Sequence, residues 1–187
     1  MIHRATHRRV LPALVLGAGV LAACAGGGAS GPSAGAGTAA TPAAAAVRDG
    51  CPLEPDAVTA ATGMTFTLRQ TLTDRPLETL ETVTADTTCV LTADEVRGAG
   101  GDPLVLRADV VSGPAVAELT AHFQRVCTGS GGTLSSSGGT TTCANRGGVQ
   151  EGLVVEGDRA VEVSYVAVPQ DRLAAVTASF DEVLALV

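Results

Sequence analysis

The stretch Val149-Gln150-Glu151-Gly152-Leu153-Val154-Val155-Glu156-Gly157-Asp158-Arg159-Ala160-Val161-Glu162-Val163-Ser164-Tyr165-Val166-Ala167-Val168 decides the fold. Two valine-rich runs flank Gly157-Asp158. Glycine at the first central position of a two-residue loop fits a type II′ turn, whose twist suits antiparallel strands. Residues 149–156 and 159–168 are therefore expected to form a hairpin.

Moving outward, Pro169 opens a final helix. Leu173, Val176, Phe180, Val183, Leu184 and Val187 keep an apolar stripe at helical spacing to the end. Upstream, residues 128–142 are nearly all Gly, Ser and Thr and read as flexible or as a weak hairpin. Gly113-Pro114 opens a helix running to about Val126, with Val116, Leu119, Phe123 and Val126 as its apolar stripe. Residues 104–111 form a strand with apolar residues on both faces, which places it centrally. Gly98 to Asp102 carries turn chemistry. Residues 87–92 are a strand around Cys89, and 73–86, charged and containing Pro76, read as a long loop. Residues 64–72 alternate as a half-buried strand. Pro55 to Thr62 reads as a short helix, with Pro55 at its first position and Gly63 just past its end. The order implies an α+β domain over residues 48–187: a mostly antiparallel sheet of about five strands, with helices packed on one face.

Residues 1–47 are of another kind. Arg4, Arg8 and Arg9 make a basic n-region, and Val10 to Val20 an apolar h-region too short to span a bilayer. Leu21-Ala22-Ala23-Cys24 then reads as a lipobox. Residues 1–23 are expected to be a signal peptide, and Cys24 the lipidated N-terminus of the mature chain. Two acyl chains hold a protein on a membrane where one binds only marginally. Residues 24–47 are an Ala/Gly/Pro/Ser/Thr linker, whose ends as a flexible coil lie about 25 Å apart. The expected location is the extracytoplasmic face of the cell membrane.

Composition narrows the function. Three of the 12 arginines precede Cys24 and all 19 acidic residues follow it, leaving a formal charge of −10; the chain has no lysine. Such a chain will not bind nucleic acid or anionic head groups by general electrostatics. Beyond Cys24 stand Cys51, Cys89, Cys127 and Cys143, an even number in an exported domain, hence two disulfides. Three connectivities are open. The sequential pairing Cys51–Cys89 and Cys127–Cys143 is favoured here, worth roughly 4 and 3 kcal/mol in the chain-entropy treatment. A four-cysteine zinc site lacks any C-x-x-C pair, so no metal is expected.

No catalytic constellation stands out. His122 is the only histidine after Cys24 and flanks the Leu119/Phe123 stripe, which suits a surface or boundary position. There is no G-x-S-x-G elbow. Ser135 to Ser137 sit in a glycine-rich stretch too mobile for a preorganised nucleophile. Gly129-Ser130-Gly131-Gly132 lacks the Gly-Lys-Ser/Thr ending of a phosphate loop. The acid pairs Glu78/Glu81, Asp94/Glu95, Glu156/Asp158 and Asp181/Glu182 read as solvated surface charge, and no cofactor is implied.

The lipobox, the linker, Cys51-Pro52-Leu53 leading into a helix that ends at Gly63, and Cys89 beyond the first strand together resemble a large group of actinobacterial lipoproteins of unknown function. That resemblance implies a non-enzymatic envelope domain with no catalytic residues. The expected function is a membrane-anchored binding or interaction module for an envelope protein or the cell wall. Its alternatives are a carrier of a small apolar ligand or lipid and, below that, a hydrolase using His122.

Overall fold

The structure, a computed structural model, describes residues 50–98, 100–145 and 148–187. The expected signal peptide, Cys24 and the expected linker lie outside the described residues. Those described form three helices and a seven-stranded antiparallel sheet of order β1-β2-β3-β7-β6-β5-β4. The α+β reading stands, with two strands more than expected. Among the described residues, no helix is long and apolar enough to cross a membrane.

Helix α1 (Pro55–Thr62) begins at Pro55 and closes on Gly63, which at φ 68° donates its N–H to the Thr59 carbonyl. Strand β1 (Thr67–Pro76) starts later than expected and runs further. Met64 and Phe66 are buried ahead of it. Its pairing with β2 (Thr84–Arg97) continues to Pro76↔Thr84, so much of the stretch read as a loop is ladder. Edge strands carry charge and proline because one side faces water, and that composition imitates a loop. The true connection is short. Leu77 and Val83, 2% and 1% exposed, plug it into the core, and the Leu77 N–H donates to the Val83 carbonyl.

Strand β3 (Pro103–Ser112) follows, and then α2 (Ala115–Gly129). The Gly/Ser/Thr stretch is an ordered hairpin of β4 (Thr133–Ser137) and β5 (Thr140–Asn145). Gly138 and Gly139 join the strands at φ 58° and 90°, a type I′ geometry that glycine adopts without a Cβ penalty. Strands β6 (Gly148–Glu156) and β7 (Arg159–Val166) form the expected hairpin, with φ 62° at Gly157. Helix α3 (Leu173–Leu184) begins after a turn in which the Arg172 N–H donates to the Pro169 carbonyl.

The helices do not share one face, which corrects the sequence reading. Val110, Val154, Val161 and Val163 belong to the core that holds Val58 of α1 and Phe180 of α3. Val111, Leu153 and Ala160, one residue out of phase, pack with Val116, Leu119 and Phe123 of α2. Neighbouring residues of a strand point to opposite faces, so α1 and α3 cover one side and α2 the other. A central strand apolar on both faces requires cover on both.

Two disulfides brace this arrangement: Cys51–Cys89 and Cys127–Cys143, with Cα–Cα separations of 5.7 and 5.8 Å. The first ties the segment before α1 to β2, and the second ties the end of α2 to β5. Cys127 is held inward at 1% exposed, and its neighbour Val126 is turned outward at 46%. The expected stripe of α2 thus ends on the cysteine instead of the valine.

Close packing of α3 on β6 depends on Gly152. A Cβ there would lie 2.7 and 2.9 Å from the Leu184 methyls and 3.1 Å from the Phe180 ring, both buried side chains. Gly152→Val is expected to destabilise the domain by about 1–3 kcal/mol through overpacking. Urea denaturation would show this as a lower midpoint at unchanged slope.

Candidate functional site: a charged cleft under helix α2

Strands β3 and β7 meet at the middle of the sheet. Their register sets Asp109 opposite Glu162 and Arg107 opposite Ser164. Alternation places all four on the face that α2 covers. On β6, Glu151 stands opposite Ser164; on β2, Thr88 stands opposite Asp109. A polar square with two flanking groups therefore occupies the α2-covered face at the centre of the sheet.

Asp109 is 5% exposed and fully engaged. Arg107 donates to it from Nε at 2.7 Å and from Nη2 at 3.0 Å, and the Thr88 hydroxyl donates at 2.5 Å. Such a bidentate, charge-assisted pair is the geometry in which a buried carboxylate is tolerated. The remaining Arg107 nitrogen, Nη1, lies 2.8 Å from Oε2 of Glu78. Glu78 reaches this point because Leu77 and Val83 pin its loop beside the sheet. Burial opposes the charge of Arg107, but hydrogen bonds and the charges of Asp109 and Glu78 more than offset it and raise its pKa.

Glu162 has no such partner; among the described residues it joins no ion pair. Burial pushes its carboxyl up to about 7, with the negative charges of Asp109 and Glu151 adding to the rise and Arg107 opposing it. Facing this floor across a cleft of about 210 Å³ are His122, Phe123 and Val126 of α2. Val126 and Val166, both on the rim, are 46% and 52% exposed, the large apolar side chains most open to water among the described residues.

His122 lines the cleft wall, half-buried, and its Nε2 is buried without a hydrogen-bond partner among the described residues. No hydrogen bond joins it to Ser164 or to an acid among the described residues. The oxygens of Asp109 are committed to Arg107 and Thr88. Ser164 sits within β7 between two paired strands, where its backbone belongs to the ladder and offers no free N–H pair for an oxyanion. Among the described residues, no three metal-binding side chains gather as a ligand set.

The opposite face of β7 carries a second orphan. Tyr165 packs between Phe66 and Phe180, with ring centroids 6.4 and 5.7 Å away, and its buried hydroxyl has no partner among the described residues. Burial pushes its phenol well above the ordinary range. It belongs to the core rather than to the cleft floor.

The acid pairs singled out in the sequence scatter. Glu78 reaches the cleft. Asp94 pairs with Arg69, and Glu95 accepts the Thr65 N–H at 2.8 Å. Glu156 and Asp158 are exposed at the turn, and Asp181 and Glu182 are exposed on α3. Cys51, Cys89, Cys127 and Cys143 are structural, and Cys24 lies outside the described residues. Asp109, Glu151 and Glu162 were missed. The signal was available: charged residues at alternate positions inside valine-rich central strands must face a covered surface.

Fold and site define an antiparallel α+β domain with helices on both faces and an acidic, apolar-rimmed cleft at the sheet centre. Comparison with protein-family models, curated proteins and solved structures finds no match to this chain.

Proposed function

We propose that this chain is a lipid-anchored, non-enzymatic binding module on the extracytoplasmic face of the cell membrane. It is tethered through Cys24 and the 24–47 linker, and it recognises another envelope protein or the cell wall. The observation that carries this reading is the cleft: a charged floor beneath a rim that exposes Val126 and Val166. Exposed apolar side chains beside convergent polar groups are the ordinary make-up of a recognition surface. A carrier of apolar ligands is less well supported. The cleft between the sheet and α2 has a charged floor that would be desolvated without compensation under a lipid.

The test is a photo-reactive amino acid placed at Val166 in the native host. A discrete crosslinked adduct is expected there, and none from the same probe at Glu182 on the far helix. Absence of a specific adduct from any exposed position of the domain would overturn the reading.

A further inference from the structure

We propose that the cleft docks one lysine side chain of a protein partner, its stem against Val126 and Val166 and its ammonium between Glu151 and Glu162. This rests on the binding-module reading and names the contact that such a module makes.

Charge decides the sign of the occupant. Glu78, Asp109, Glu151 and Glu162 converge on the cleft, and the one guanidinium among them, Arg107, is already bound to Asp109 and Glu78. An anion would meet uncompensated carboxylates, whereas a cation supplies the missing counter-charge. Geometry favours ammonium over guanidinium. Glu151 and Glu162 stand on adjacent strands in diagonal register, Glu151 opposite Ser164 and Leu153 opposite Glu162. A compact charge with three rotatable donors can serve two such carboxylates; a planar fork is matched to the edge of one. The apolar rim fits a four-carbon stem, which buries its methylenes while its head seeks charge. The chain has no lysine, so the occupant is not a second copy of this chain.

The titratable state of the cleft agrees. Glu162 faces Asp109 and Glu151 on the sheet, Arg107 and Glu78 beside it, and His122 from α2. A cation arriving next to it displaces its proton to solvent, so affinity rises with pH through about 7.

The test uses the whole mature chain with Cys24→Ser, which leaves the N-terminus as its only amine. Acetyl-Ala-Lys-Ala-amide is titrated at low ionic strength and followed by amide chemical shifts. Saturable shifts at Arg107, Glu151, Glu162 and Val166 are expected, tighter at pH 8 than at pH 5.5. The norleucine peptide should give none. Glu162→Gln should weaken binding about tenfold, the share of one charge-assisted contact. Val166→Ser should weaken it less while leaving the cleft acids intact. Carbodiimide coupling of the lysine peptide should map to Glu151 or Glu162. Shifts that fail to saturate by about 10 mM, shifts spread over all surface acids, or equal binding of the norleucine peptide would each overturn the proposal. A specific adduct at Val166 in cells, with the peptide inert, would overturn the lysine contact and leave the module reading standing.

Discussion

Replacing Arg107 by methionine is expected to destabilise the domain by about 3–5 kcal/mol, because it leaves the carboxylate of Asp109 buried with no counter-ion. Asp109 is 5% exposed and receives two of its three hydrogen bonds from Arg107. Thermal unfolding should fall by about 10–15 °C at this domain size. The double variant Arg107→Met with Asp109→Leu should recover most of the loss, since it removes both charges together. A thermodynamic cycle over the four proteins would show strong coupling between the two positions. If Arg107→Met alone changed the stability by less than about 1 kcal/mol, the ion pair would not be what makes Asp109 tolerable at the sheet centre.

The second large effect is a pH dependence with an unusual sign. Glu162 holds its proton up to about 7 in the folded state, against 4.5 for the free side chain. Between these values the folded chain keeps a proton that the unfolded chain has released. Stability therefore falls as pH rises through that window, and it is flat outside it as far as this group is concerned. The difference corresponds to up to about 3 kcal/mol. Glu162→Gln, which cannot ionise, should match the parent at pH 4 and exceed it in stability by about 2–3 kcal/mol at pH 8. Urea midpoints of both proteins across this range would measure the difference directly. Ordinary paired carboxylates act in the opposite direction, so the comparison between the two proteins isolates this one group. Equal stability at pH 8 would show that Glu162 ionises freely and that neither its burial nor the neighbouring carboxylates hold its proton.

Both effects come from residues at the centre of the sheet, and there the sequence was only partly legible. Helix α1 and the β6–β7 hairpin could be read from proline and glycine, because backbone chemistry at those points depends on no distant contact. The β4–β5 hairpin was harder. Its strands are serine and threonine, without an apolar alternation to mark them, and their order comes from pairing with β6 and from the Cys127–Cys143 bridge. Strand β1 was misjudged beyond Leu72 for the same reason. An exposed edge and a loop share a composition, and only the partner strand tells them apart.

What the sequence determined by itself is what local chemistry can fix: an acidic lysine-free chain, four cysteines in the folded domain, and alternating strands with amphipathic helices. What only the tertiary structure decided is placement. Strand alternation says that Arg107 and Asp109 share a side, and that Glu162 and Ser164 share a side. It does not say that β3 lies beside β7, because those strands are separated by α2 and three other strands along the chain. Once that pairing forms, Glu162 must stand across from Asp109, α2 must cover them, and four carboxylates must share a cleft with one committed arginine. The burial that raises Glu162, and the charges of Asp109 and Glu151 that add to it, come from groups that only folding brings together.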